Sequence, residues 1–311
     1  RWQAHSLPWI SSAVALIGTF GLVYRAVVRS YPGFDMGLLP LGFAIIAGGV
    51  LYGLWRQNDA TPQARQSRLA WMGGTVLYFV TLIFPLQFEH QWLTICWALE
   101  GAALSWLYLR VPHPGLRYVA AALLTIAFVR LGMNPDVMRY HVRTGVPIWN
   151  WFLYSYGLVA AAQIAAGRFL APPHHRLGVI NLRGVFFCFA GLLLFILMNI
   201  EIADAYTPRS ETYITIQFRG DIDLAREMTY TIAWGLFALA LLVLGFRSRS
   251  RSTRYAGMAL LGITLIKLFF HDLSDTDGIY RVGALMVVAV IAFAASWLYQ
   301  RFAESDENQT S

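Results

Sequence analysis

Long apolar stretches alternate with short polar segments along the whole 311-residue chain. A helix needs roughly 20 apolar residues to cross a bilayer, and ten stretches come close to that length. Trp and Tyr cluster at their ends, as interfacial aromatic residues do. The predicted spans are 9–28, 38–55, 69–87, 92–109, 116–133, 148–170, 180–203, 228–246, 255–272 and 280–300. We therefore predict an all-α integral membrane protein of about ten transmembrane helices, with residues 1–311 forming a single polytopic domain.

The composition supports this class and excludes others. Hydrophobic residues make up 57% of the chain and charged residues 13%, against about 25% charged in soluble domains. Two Cys and 12 Pro exclude a disulfide scaffold and a collagen-like chain. The net charge of +7 alone would suit nucleic acid, but the mean hydropathy of +0.52 favours a membrane and membrane lipids as partners.

The loop charges predict an orientation. Loops 56–68, 110–117, 168–183 and 247–254 carry twelve arginines against one acid, Asp59. The opposite face carries ten basic and twelve acidic residues, and cytoplasmic loops are the basic ones. We expect both ends of this chain in the cytoplasm, including an acidic, disordered tail at 303–311. Because the chain begins with Arg and has no signal-peptide pattern, we expect it to be the carboxyl-terminal part, or a shortened form, of a longer protein.

The second half of the chain repeats part of the first. A shift of 137 residues aligns spans 4 and 5 with spans 8 and 9, and 15 of the 38 pairs from 94 to 131 are identical. Trp97 falls on Trp234, and Arg130 falls on Lys267, the only lysine. Because a repeat of four helices is even-numbered, its copies share one orientation. We predict a parallel four-helix repeat, with spans 2–5 and spans 6–9 as the copies.

A polar insertion separates the aligned parts. Glu89 and Glu201, which end spans 3 and 7, align at a shift of 112 residues, so about 25 residues are inserted after Glu201. We predict a periplasmic insertion at 205–227, with a strand-like segment at 213–218 that alternates apolar and polar residues. It either covers a cavity or packs on lipid headgroups.

Two ionisable residues are predicted inside the membrane on adjacent spans. Glu100 lies near the middle of span 4, and Arg130 lies about 20 Å along span 5 from its cytoplasmic end. Charges at such depth are costly and mark functional hypotheses. The pair either locks two helices together or includes a carboxylate that responds to protons or ions.

A second cluster of ionisable residues is predicted near the periplasmic surface. Lys267 and His271 lie four residues apart, on one face of span 9. Such a set suits an anionic lipid or solute, a proton relay or acid–base chemistry, or else Lys267 reaches water and pairs with Glu201 for stability alone. The members of the cluster are Glu89, His90, Glu201, Asp204, Lys267, His271 and Asp272.

Other motifs add little. Gly49 and Gly53 form a Gly-xxx-Gly step that predicts a close helix contact. His174 and His175 lack a third ligand at metal spacing, and the chain has no phosphate loop, dinucleotide fingerprint or zinc-protease motif. We expect no metal and no cofactor.

Several segments together resemble the bacterial predicted membrane proteins grouped as domain of unknown function 2339. These segments are 88–92, 97–101, 150–157, 199–203, 267–273, 280–281 and 298–302, so the resemblance runs from about residue 86 to 302. It implies a bacterial inner-membrane protein, the carboxyl-terminal multi-span part of a longer chain. It supplies no activity and no catalytic residue.

Three functions remain open from the sequence. The first is transport or lipid handling in the cell envelope, which Glu100 and the periplasmic cluster favour. The second is a membrane scaffold for partner proteins, in which every charge is structural. The third is an intramembrane enzyme acting on a lipid-linked or glycan substrate, with Glu201, Asp204 or His271 as the acid or base.

Overall fold

The computed structural model describes residues 3–31, 33–57, 62–87, 90–110, 112, 114–134, 148–173, 175–208 and 224–268, and positions 286, 289, 290 and 293. Nine long α-helices and one short β-ribbon form within the described ranges. The helices are α1 (Gln3–Ser30), α2 (Leu38–Arg56), α3 (Pro62–Gln87), α4 (His90–Arg110), α5 (Pro114–Met133), α6 (Trp151–Phe169), α7 (Leu182–Tyr206), α8 (Leu224–Arg247) and α9 (Arg251–Lys267). The strands are β1 (Arg176–Leu177) and β2 (Ile180–Asn181), which pair antiparallel.

The all-α membrane class is confirmed. Seven described helices are long and apolar enough to cross a bilayer, namely α1, α2, α3, α4, α5, α7 and α8. Helix α6 and the described part of α9 do not meet that criterion, although both were predicted as spans. The tenth predicted stretch, 280–300, lies almost entirely outside the described residues.

The chain divides into two compact units. The first contains α1 to α6 and the part of α7 that ends at Leu194. In it α1, α2 and α3 pack around Phe20, Ala44 and Phe79, and the rings of Phe20 and Phe79 meet edge to face at 5.4 Å. Aromatic rings therefore hold these three helices together.

Helix α4 packs against both α5 and α6 in the first unit. Two buried side chains of α6 bind the backbone of α5: Tyr156 Oη donates to Leu131 O at 2.9 Å, and Gln163 Nε2 donates to Leu124 O at 2.8 Å. A membrane helix can carry buried polar groups where such partners are available. Tyr156, Gln163 and Arg168 are among the polar residues that keep α6 below the hydropathy of the helices that qualify as spans.

The second unit contains the rest of α7, from Phe195, together with α8 and α9. Helices α8 and α9 pack closely around Leu242 and Phe246. Ser250 caps α9, because its Oγ accepts a hydrogen bond from Thr253 N at 3.4 Å. A tight turn with this cap returns α9 antiparallel to α8.

The two aligned helix pairs share one packing contact. In the first pair, a Cβ added at Gly101 would lie 3.2 Å from Ala120 O. In the second pair, a Cβ added at Gly257 would lie 3.0 Å from Ala238 O. At a shift of 137 residues Gly101 aligns with Ala238 and Ala120 aligns with Gly257. The copies therefore use the same close approach, with the glycine on opposite helices, which supports the predicted repeat.

The local structure differs from the sequence analysis at two places. Gly49 and Gly53 are exposed, and an added Cβ at either would meet nothing within 4 Å, so the predicted close helix contact is not formed with any described residue. The described strands lie at 176–181, in a loop for which no strand was predicted, and Gly178 between them adopts a φ of +59° that allows a tight hairpin. Most of the predicted insertion at 205–227 and all of the tail at 303–311 lie outside the described residues.

Candidate functional site

A buried carboxyl group lies at the centre of α4. The apolar part of this helix runs from Trp92 to Leu109, and Glu100 is near its midpoint. The residue is 8% exposed. Its Oε1 lies 2.5 Å from Thr81 Oγ1 on α3. The helix interior thus places one ionisable group far from both ends of a membrane-spanning segment.

The other carboxyl oxygen, Glu100 Oε2, is buried and has no hydrogen-bond partner within the described part of the chain. The predicted pairing of Glu100 with Arg130 is not formed among the described side chains. The guanidinium of Arg130 lies instead over the ring of Trp97, at 5.9 Å from its centroid, because α4 and α5 run antiparallel in that register. This arrangement is a cation–π contact.

The partner that sequence reasoning missed is Thr81. It lies six residues before the end of α3 at Gln87, and Glu100 lies eight residues after Trp92, where the apolar part of α4 starts. Because the rise is 1.5 Å per residue, the two residues are at similar depth. The similar depth of Thr81 and Glu100 on adjacent spans is the sequence feature that could have identified this contact.

The lysine of the second predicted cluster is paired in the structure. Lys267 Nζ lies 2.8 Å from Glu227 Oε2 and 3.1 Å from Thr231 Oγ1, both on α8. The side chains of the ion pair are each 13% exposed. Pairing of Lys267 with Glu201, one of the alternatives that the sequence left open, is not formed among the described side chains. Glu227 was overlooked because predicted span 8 began one residue after it, so this acid was counted with the loops.

The remaining members of that cluster are only partly described. Glu201 is partly buried and Asp204 is 8% exposed, both in the last turns of α7. Glu89, His271 and Asp272 lie outside the described residues, as does the side chain of His90 at the start of α4. Of the predicted cluster, only Lys267 has an ion pair that the described side chains establish.

A separate polar contact lies deeper on α7. Trp234 Nε1 donates to Asn199 Oδ1 at 2.9 Å, and Asn199 Nδ2 donates to Phe195 O at 2.7 Å. The aligned tryptophan of the first copy, Trp97, has a buried Nε1 that makes no hydrogen bond to a described residue. The two tryptophans therefore occupy aligned positions and differ in the hydrogen bonding of Nε1.

The second copy has no counterpart of the Glu100–Thr81 contact. At the respective shifts Glu100 aligns with Phe237 and Thr81 aligns with Leu193. Phe237 packs against Phe195, with ring centroids 5.4 Å apart. Both polar partners are therefore replaced by apolar residues, and the carboxyl site belongs to the first copy.

The chemistry that these groups allow is limited. Glu100 can bind or release a proton or pair with a cation, because one oxygen is unsatisfied and buried. The Lys267–Glu227 pair is already neutralised, which favours a structural role. No group of three or more His, Cys, Asp and Glu residues in the described ranges is placed to hold a metal ion.

The comparison with known families identifies the chain. The model of the family described as predicted membrane protein (DUF2339) matches residues 2–134 and 115–302. The chain belongs to this family. The match extends the resemblance noted from residue 86 towards the amino terminus, so the first three helices of this DUF2339 chain are family sequence as well. No curated protein and no solved structure matches the chain.

Proposed function

We propose that this DUF2339 protein moves a solute or a lipid across a bacterial inner membrane, and that protonation or ion binding at Glu100 is coupled to that movement. The observation that carries the proposal is the buried carboxyl group at mid-helix, with an unsatisfied Oε2. In this proposal both ends of the chain are cytoplasmic, as the basic loops favour.

The energetic cost of this group supports the proposal. A carboxylate at the centre of a membrane-spanning helix costs several kcal/mol unless it is paired. Glu100 has Thr81 as its hydrogen-bond partner, and no ion pair to a described residue would compensate its charge whenever it ionises. A group retained at this cost for structure alone would be expected to have both oxygens satisfied.

The second copy supports the same interpretation. It keeps the helix–helix contact while Phe237 and Leu193 replace the two polar residues. The fold of a copy therefore does not require the carboxyl group. A role for Glu100 in movement through the membrane accounts for its presence in one copy only.

The test uses purified protein in vesicles of phosphatidylethanolamine and phosphatidylglycerol. Proton movement is followed with a pH-sensitive dye inside the vesicles under a valinomycin potential, and lipid movement with fluorescent phosphatidylglycerol and an outer-leaflet quencher. We expect wild-type protein to exceed protein-free vesicles in at least one assay and Glu100→Gln to lose that activity.

The matched control is Glu227→Gln, a neutralised acid in the second unit whose ion pair with Lys267 favours a structural role. It should keep the activity if Glu100 is the coupled group. Equal activity of Glu100→Gln and wild type, or no wild-type activity in either assay, would contradict the proposal. Absence of wild-type activity in both assays would favour a membrane scaffold.

A further inference from the structure

The hydroxyl group of Thr81 has two acceptors within reach. Thr81 Oγ1 lies 2.9 Å from Leu77 O, four residues earlier on α3, and 2.5 Å from Glu100 Oε1. Both distances are within the range of hydrogen bonds. A threonine hydroxyl, however, carries one hydrogen and donates one full hydrogen bond.

The single hydrogen of the Thr81 hydroxyl determines which group donates in the contact with Glu100 Oε1. Threonine in a helix commonly donates to the carbonyl four residues earlier, as the Thr81 contact to Leu77 O does. The backbone carbonyl has no hydrogen, so the hydroxyl must supply that bond. The contact with Glu100 Oε1 then needs a hydrogen from the carboxyl group, and an ionised carboxylate has none.

We infer that Glu100 is held as a neutral acid whose Oε1–H donates to Thr81 Oγ1, while the Thr81 hydroxyl donates to Leu77 O. The ligand of the carboxyl site is therefore a proton and not a metal cation. This inference deepens the proposed function and rests on it for its role in movement through the membrane. The hydrogen bonds themselves are independent of that role.

The surroundings of Glu100 agree with a neutral acid. Cys96 lies one turn earlier on the same helix, and it is a free thiol. Arg130, the nearest cation along α5, lies over the Trp97 ring. The other charged side chains that the structure describes on the packed helices α3 to α6 belong to residues near helix ends: Arg65, Arg68, Arg117 and Arg168. Within the described ranges no side-chain cation lies within ion-pair distance of Glu100.

The second copy agrees as well. A neutral acid and an apolar side chain can occupy equivalent helix positions without a change in net charge. Phe237 and Leu193 replace Glu100 and Thr81 together, and Phe237 packs on another ring. Both polar residues of the contact are thus replaced by apolar residues in the second copy.

Release of the proton has a defined consequence. The Oε1–H bond breaks, the proton passes to water or to a basic group of the transported molecule, and a carboxylate remains. The Thr81 hydroxyl then rotates and donates to Oε1, which breaks its bond to Leu77 O. Rebinding of a proton reverses both changes. Thr81 therefore links the protonation state of α4 to the backbone of α3.

The test is infrared difference spectroscopy of the protein in vesicles at neutral pH, in H₂O and D₂O. We expect a carbonyl stretching band of a protonated carboxylic acid that shifts in D₂O. The band should vanish in Glu100→Gln, move in Thr81→Val and stay nearly unchanged in Thr81→Ser. Glu227→Gln is the control, since the ion-paired acid should not contribute to the band.

Absence of the band in wild-type protein, or its persistence in Glu100→Gln, would overturn the inference. The spectra also separate this inference from the proposed function. If the band is absent but Glu100→Gln still stops movement in vesicles, Glu100 binds a cation other than a proton. If the band is present and Glu100→Gln remains active, the stored proton is structural and the proposed function fails.

Discussion

Two aligned helix pairs, α4 with α5 and α8 with α9, share their packing and differ in their chemistry. Each pair runs antiparallel, and each crosses where a glycine of one helix meets a backbone carbonyl of the other. In the first pair the glycine is Gly101, and in the second it is Gly257. The close approach therefore depends on one glycine per crossing, whichever helix supplies it.

The polar groups around these crossings are not shared. The first copy has Glu100 with Thr81, whereas the second has the Lys267–Glu227 ion pair on α8 and α9. The residue that aligns with Lys267 is Arg130, which contacts a tryptophan ring and makes no ion pair with Glu100. The two copies therefore share a helix frame and differ in their buried polar contacts.

The ion pair of the second copy should give the largest effect on stability. Lys267→Met leaves the carboxylate of Glu227 buried without its cation, which should lower the free energy of unfolding by about 3 kcal/mol. Chemical denaturation in detergent micelles measures this. The double variant Lys267→Met/Glu227→Leu should recover most of the loss. A single variant as stable as wild type would show that the pair contributes nothing to the second copy.

The shared crossing should give the next largest effect. In Gly257→Ala the added Cβ lies 3.0 Å from Ala238 O and 3.1 Å from Leu242 N, and backbone atoms cannot move aside easily. We expect a loss of about 2 kcal/mol in unfolding free energy.

Gly262 on the same helix is the matched control, because an added Cβ there meets nothing within 4 Å. Gly262→Ala should be neutral or slightly stabilising, since alanine favours helix. Similar denaturation midpoints for the two variants would argue against the crossing as the shared element of the copies.

The aligned tryptophans should give a smaller and asymmetric effect. Trp234→Phe removes the hydrogen bond to Asn199 Oδ1 and should cost about 1 kcal/mol beyond the loss of ring area. Trp97→Phe removes an Nε1 that has no described hydrogen-bond partner, so this additional cost should be absent. Thermal unfolding of both variants in the same detergent tests the difference. Equal losses would indicate that the copies do not differ at this position.

The smallest effect on stability is expected at the carboxyl group. Glu100→Gln keeps a side chain of nearly the same size that still hydrogen-bonds Thr81, so the unfolding free energy should change by less than about 0.5 kcal/mol. Denaturation in micelles checks this value. A large loss would show that Glu100 is a structural residue, which would remove the functional difference between the copies.

The sequence predicted the membrane class, most helices and the depth of Glu100, because long apolar segments and an ionisable residue inside one of them can be recognised in the sequence alone. It did not predict the partners. Arg130 and Lys267 align, yet neither pairs with the acid that was expected. Their partners depend on helix rotation and on side chains that look ordinary in sequence, such as Thr81 and Thr231. Glu227 was missed because a boundary error of one residue placed it in a loop.

The central claim is that the first copy carries the coupled group and the second supports the fold. Proton and lipid movement in vesicles, measured side by side for Glu100→Gln and for Lys267→Met/Glu227→Leu, tests it most directly. We predict that the first variant is folded and inactive and that the second is folded and active. An active Glu100→Gln together with an inactive second-copy variant would contradict the claim.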